Sequence, residues 1–211
     1  MSPSPVRRAR TEQVAITRAS ILDTAERLFA EHGVAAVSSR QISEAAGQGN
    51  NAAVGYHFGS KSDLVRAIIR RHATPMEEIR RRLFTRLDGR AGVRELVTCV
   101  VHPYTLHLAA LGAPSWYARF AAQVITEPSL RQLAAEEMHA APTLFAVGDA
   151  LRRCLPEVGA EVLREREDMA HTLIAHFCAL RERGGNADWP GTALSLVDAV
   201  QGLYQAPVSL R

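Results

Sequence analysis

Between Ser38 and Lys61 the chain reads SSRQISEAAGQGNNAAVGYHFGSK, and this stretch constrains the fold more than any other. Ser38 with Gln41 three residues later predicts a capping box, in which the hydroxyl accepts from the backbone and the amide reaches back. The helix it opens carries Ile42, Ala45 and Ala46 on one face, and Gly47 suits the left-handed residue that ends it. Asn50 then reads as the N-cap of a second helix, from about Asn51 to His57. Ser60 with Asp63 is a further capping box, opening a helix through Leu64, Val65, Ile68 and Ile69. Two short helices about a glycine-marked turn form a helix-turn-helix, whose second helix can enter the DNA major groove.

Ahead of the motif, Thr17 is placed to cap a helix running through Ile21, Leu22, Ala25, Leu28 and Phe29 to His32, where Gly33 stops it. Its apolar stripe gives the motif helices a surface to pack on. Ala46-Gly47, Tyr56-His57-Phe58, Ser60-Lys61 and Leu64, with ILDTAERLFAEHGVAAVSSRQISEAAG before them, resemble the signature of TetR-type transcriptional regulators. The resemblance is clear from about Thr17 to Ile69 and extends beyond that only to layout. The turn Gln48-Gly49-Asn50 is one residue longer than the usual family turn, which puts Gly55 where many members carry a bulky residue. The resemblance implies an all-α protein: a three-helix helix-turn-helix DNA-binding domain over residues 16–62, then a larger helical ligand-binding and dimerisation domain over 63–211. Residues 1–15, rich in Ser, Pro and Arg without an apolar period, read as a disordered arm whose Arg7, Arg8 and Arg10 could follow phosphates.

Within the motif, Ser38 and Ser39 stand at a helix N-terminus that attracts phosphate, and Arg40 adds charge. Asn50 opens the second helix, and Asn51, Ala52, Ala53 and Gly55 are the candidates for its groove face. Asparagine can pair bidentately with adenine, and an alanine methyl can touch a thymine methyl. The family resemblance adds Tyr56, His57 and Lys61 as contacts to backbone phosphate.

Composition sets limits on the alternatives. A net charge of +3 permits nucleic-acid binding without requiring it, and Lys61 is the single lysine. Three widely spaced cysteines, Cys99, Cys154 and Cys178, suit buried thiols in a reducing cytosol better than disulfides. No apolar run reaches the length of a membrane span, and MSPSPVRRAR lacks the apolar core of a secretory signal. The expected location is the cytoplasm, with no membrane partner.

Beyond the motif, Pro75 and Pro103 are expected to kink or break their helices, and Pro128 and Pro142 to punctuate the chain. The last two helices, Glu161 to about Arg183 and a final one after Pro190-Gly191, are amphipathic, with Met169, Leu173, Phe177 and Leu180 on one stripe. By resemblance they pair with their symmetry mates to make a homodimer, so that two motifs meet a near-palindromic operator. The resemblance also implies a small-molecule effector, with His102, Tyr104, His107, Trp116, Tyr117, Phe120, Met138, Phe145 and His171 as candidate lining residues. Each of these also fits an ordinary core. His102 and His107, like His171 and His176, are five residues apart, about 140° around a helix, so neither pair shares a metal-binding face. No catalytic residues, metal site or cofactor are expected. The expected function is a homodimeric repressor released from DNA by a ligand. An all-α enzyme or a helical interaction module is the alternative; the first finds no G-x-S-x-G elbow, P-loop, paired-carboxylate or metal arrangement in the sequence, and the second leaves the capped motif without a purpose.

Overall fold

The structure is a computed structural model that describes residues 5–185 and 187–209, with side chains from residue 11 onward. Among the described residues it is built from helices alone. The chain divides into two compact units, one ending at Ile68 and the other beginning at Ile69.

The first unit contains α1 (Pro5–His32), α2 (Ser39–Ala45), α3 (Ala53–Phe58) and the start of α4 (Lys61–Phe84). Helix α1 begins well before the predicted Thr17, so residues 5–15, read from composition as an arm, are helical. Pro5 stands at the first helical position, where a missing N–H costs nothing. Val14 and Ile16 are exposed, so this part of α1 lacks the buried stripe that periodicity detects. The side chains of Arg7, Arg8 and Arg10 lie outside the described residues. Further along, Ile21, Ala25 and Phe29 are fully buried, and α2 packs between α1 and α3.

The second unit comprises the rest of α4, then α5 (Val93–Leu111), α6 (Tyr117–Thr126), α7 (Pro128–Glu137), a short 3₁₀ turn (Met138–Ala140), α8 (Pro142–Cys154), α9 (Ala160–Arg183) and α10 (Trp189–Gln205). Its main packings are α6 on α9 and α5 on α10. Pro128 and Pro142 each begin a helix, where proline fits. Pro75 and Pro103 were expected to kink or break their helices; neither α4 nor α5 is broken, and both run through the proline. An interior proline costs about 3 kcal/mol. Burial around Pro75 offsets this, through Ile68, Ile69 and His72 before it and Arg80 after it. Ser115, just ahead of α6, does not cap it. The helix opens at Tyr117, and Ser115 instead donates its hydroxyl to Glu182.

Glu182, in the last turn of α9, does the capping from a distance. Its carboxylate accepts the backbone N–H groups of Ala118 at 3.1 Å and Arg119 at 3.0 Å, and pairs with the Arg119 Nε at 3.2 Å. Free N–H groups at a helix start need acceptors, and a buried carboxylate needs donors. Each solves the other's problem. At the far end of this layer, buried Arg166 donates to the carbonyls of Tyr204 and Ala206, both at 2.6 Å, tying the end of α10 to α9.

Candidate nucleic-acid interface and aromatic cluster

The geometry of the first unit follows from its caps. The Ser38 Oγ accepts the Gln41 N–H at 3.2 Å and the Gln41 Oε1 accepts the Ser38 N–H at 2.8 Å, completing the predicted box. Gly47, with φ of +68°, ends α2 in the left-handed conformation that glycine adopts without strain. The box at Ser60 and Asp63 also forms, with the Ser60 N–H on the Asp63 carboxylate at 3.1 Å.

Asn50 does not cap α3. Its Oδ1 accepts the Ala52 N–H at 2.9 Å and its carbonyl accepts the Ala53 N–H at 3.0 Å, which makes a turn. Helix α3 therefore starts at Ala53, two residues later than predicted, and the lengthened turn is absorbed before it. The shift corrects one candidate. Ala53 is only 5% exposed and faces the interior beside Val54, so it cannot touch a base. Asn51, Ala52, Gly55 and Tyr56 are exposed, Tyr56 by 76%, and form the outward side of the turn and helix.

Two long-range contacts that sequence reasoning missed fix α3. Ser43, fully buried on α2, holds its hydroxyl 3.4 Å from the Val54 N–H while donating to the Ser39 carbonyl at 3.1 Å. Arg18 of α1 donates to the His57 carbonyl, and its guanidinium lies 4.2 Å from the centre of the Phe58 ring. Local patterns announce neither contact, because the partners are far apart in sequence. His57 itself is half-buried and stacks edge-on against Tyr56.

Lys61 opens α4 and directs its ammonium toward the Ala35 carbonyl at 3.5 Å. Partial burial lowers its pKa. Ser38 is exposed and Ser39 half-buried at the start of α2. Arg40 is exposed but pairs with Glu44 at 2.7 Å, which offsets its charge for a phosphate.

In the second unit four of the candidate effector residues come together. Tyr117 stacks on His72 with ring centres 3.7 Å apart, stands edge-on to His107 at 5.7 Å, and lies 5.9 Å from Tyr104 and 6.4 Å from Phe120. His72 Nδ1 and His107 Nε2 are 2.8 Å apart, so one ring donates to the other. His72, from α4, was not among the candidates, and neither was Arg80. His102 is half-buried with its pKa lowered by burial, and Trp116 is half-buried ahead of α6. Met138 is half-buried in the 3₁₀ turn, and Phe145 is 52% exposed on α8. Tyr104 is half-buried on α5, with its hydroxyl buried, and His171 is exposed on α9.

Burial, with His72 and Arg71 nearby, pulls His107 from 6.5 down to about 4. Between those two values the unfolded chain binds the proton and the folded chain does not, so stability falls as pH is lowered through this window. Thermal melts from pH 6.5 to 4 are expected to show a steeper loss for the wild type than for His107→Gln. Parallel curves would remove this role from His107.

Among the described residues the chain is all-helical, with a capped helix-turn-helix near its amino end. Residues 21–68 match the bacterial regulatory proteins of the tetR family. Over 63 residues the chain is 40% identical to the HTH-type transcriptional repressor AcnR of Corynebacterium glutamicum, a match covering 30% of this chain and 33% of that repressor. The chain thus aligns with about a third of the length of this curated relative. Over nearly its whole length it resembles the fatty acid degradation regulator FadR from Bacillus halodurans, with a TM-score of 0.61 at 17% identity, covering 100% of each chain. It also resembles Mycobacterium smegmatis AmtR, with a TM-score of 0.60 at 19% identity, covering 91% of this chain and 87% of that one. The motif match and the shared fold agree. The match over residues 21–68, the identity with AcnR over the same region and the shared fold together support a TetR-type regulator.

No helix among the described residues is long and apolar enough to cross a membrane.

Proposed function

We propose that this protein is a cytoplasmic, homodimeric transcriptional repressor that binds a near-palindromic DNA operator and is released by a small-molecule effector. The observation that carries the reading is the outward face of the turn and α3. Asn51, Ala52, Gly55 and Tyr56 stand exposed there, with Lys61 in the first turn of the following helix. Small side chains along this face let the helix sit deep in a major groove, and Asn51 offers the donor–acceptor pair that adenine's edge matches. Tyr56 and Lys61 supply contacts to phosphate, and the N–H groups at the start of α2 supply another.

The dimer rests on α9 and α10. Met169 at 53% exposure, Leu180 at 63% and Leu194 at 58% lie open on the single chain. Three large apolar side chains on two terminal helices suit a self-complementary interface with a second copy. Release by an effector is a population shift. A ligand that binds the DNA-incompetent conformation better lowers operator affinity by its ratio of affinities for the two states.

The test is selection of bound fragments from the source genome by the purified protein, followed by titration at two salt concentrations. A near-palindromic site bound by a dimer is the expected product. Absence of any enriched fragment at low salt, with and without cell extract, would refute the reading.

A further inference from the structure

On the reading of an effector-responsive regulator, we propose that Arg80 and Tyr104 together bind a small planar carboxylic acid, held by the free edge of the Arg80 guanidinium and packed against Tyr104 and Tyr117. Arg80 lies on α4 and is only 8% exposed. Its Nη1 donates to Glu77 at 2.7 Å, and the other oxygen of Glu77 accepts the Thr143 N–H at 2.6 Å. Glu77 is thereby held at one corner of the guanidinium. The Nε of Arg80 is buried without a hydrogen-bond partner. An unmade hydrogen bond to a buried charged group is costly, so this donor is poised for an acceptor that arrives from outside the chain.

The same helix shows what fits that edge. Arg81 sets its Nε and Nη2 on the two oxygens of Glu78 at 3.0 and 2.8 Å. Arg70 does the same to Glu137 at 2.9 and 2.8 Å. A carboxylate matches this fork with two parallel bonds, which a single neutral oxygen cannot do. At Arg80 the fork is left to a ligand.

The surroundings specify the rest of the molecule. The Tyr104 hydroxyl is the other buried polar group without a partner among the described residues. Burial raises its pKa well above the ordinary phenol value, so it stays protonated and can donate. Tyr117 links the two groups: its ring is 5.9 Å from Tyr104, and it lies within electrostatic reach of Arg80. His171, which retains solvent access, is also within reach of Arg80. Flat aromatic walls favour a flat ligand body.

Isothermal titration of the full chain with benzoate, phenylacetate and 2-naphthoate, each beside its carboxamide, tests the proposal. At least one acid is expected to bind, with its carboxamide weaker by tenfold or more. Arg80→Lys, which keeps the charge but loses the fork, is expected to weaken that acid by tenfold or more, and Tyr104→Phe by severalfold. Because a lone change at Arg80 strands Glu77, the pair Glu77→Gln with Arg80→Gln serves as a second variant, and circular dichroism checks its fold. Equal binding of acid and carboxamide, indifference to Arg80→Lys, or no binding by any of the acids would overturn the proposal. Operator binding followed in the same samples separates the two readings. An Arg80-dependent acid that leaves the DNA complex intact upholds the site and refutes the effector role. Release by a carboxamide alone upholds an effector role and refutes the carboxylate site.

Discussion

Replacing Lys61 by Met and Tyr56 by Phe together is expected to weaken operator binding by about 100-fold or more while leaving the fold intact. A charge-assisted hydrogen bond contributes about 1.5–3 kcal/mol, a neutral one about 0.5–1.5 kcal/mol, and the proposed homodimer would lose each of them twice. Solvent access at Tyr56, 76% exposed in the free chain, argues for the low end of these ranges. The low end still reaches the stated loss, since each 1.4 kcal/mol is tenfold in affinity. Folding should survive because the Tyr56 hydroxyl points outward, and Met preserves the aliphatic stem of Lys61 near Phe29.

The salt dependence separates the two side chains. Each Lys61 that neutralises a phosphate releases condensed counterions, so its loss from both subunits should flatten the log–log salt slope by about two units. Tyr56→Phe alone should weaken binding without changing that slope. Substitution of Asn51 should instead redistribute affinity among operator variants, the mark of a base contact. Fluorescence anisotropy on a labelled operator from 50 to 200 mM salt, roughly the range over which such slopes are read, makes the comparison. A slope unchanged by Lys61→Met would place that ammonium away from phosphate.

Local chemistry was the legible part of this chain. The boxes at Ser38 and Ser60 and the stop at Gly47 lie within a few residues of the backbone groups they satisfy, and all three form as read. Asn50 shows where local reading becomes ambiguous. An asparagine that accepts an N–H two residues on can begin a turn or cap a helix with the same atom, and the neighbouring Asn51, Ala52 and Ala53 favour neither outcome. The assignment of Ala53 to the groove face went wrong with it, because in a helix of small residues nothing in the sequence marks which side is buried.

The remainder depended on distance. Ser43 under Val54, Arg18 on the His57 carbonyl, Glu182 at the start of α6 and Arg80 beside Tyr117 each act on residues that no periodicity links to them. Helix breaks at proline were over-read for a related reason. Its cost inside a helix is local and fixed, whereas the packing that offsets it around Pro75 and Pro103 is tertiary. Periodicity, conversely, under-read α1, since it detects a buried face and residues 11–16 of that helix are exposed throughout.

A double substitution on α9, Leu173→Glu with Leu180→Glu, is expected to convert the protein to a monomer and to reduce operator affinity by more than 100-fold. On the single chain Leu180 is 63% exposed and Leu173 37%, with Met169 at 53% on the same helix. Their spacings of four and seven residues keep them on one side of α9. Burying a leucine side chain is worth about 1.5–3 kcal/mol, and two-fold symmetry counts each leucine twice. Glutamates there would also face their own copies across the axis, adding like-charge repulsion in a desolvated interface. The intramolecular core is separate from this stripe, for Ile174 and Cys178 point the other way and are buried. The monomer should therefore keep its helical circular dichroism. Sedimentation velocity reads the mass directly, and operator titration reads the consequence, since a monomer engages one half-site where the dimer engages two. Retention of the dimer mass by the double variant would move the interface away from this face of α9. A monomer that still bound the full operator with wild-type affinity would sever dimerisation from DNA recognition, and with it the account of how one motif per chain reads a near-palindrome.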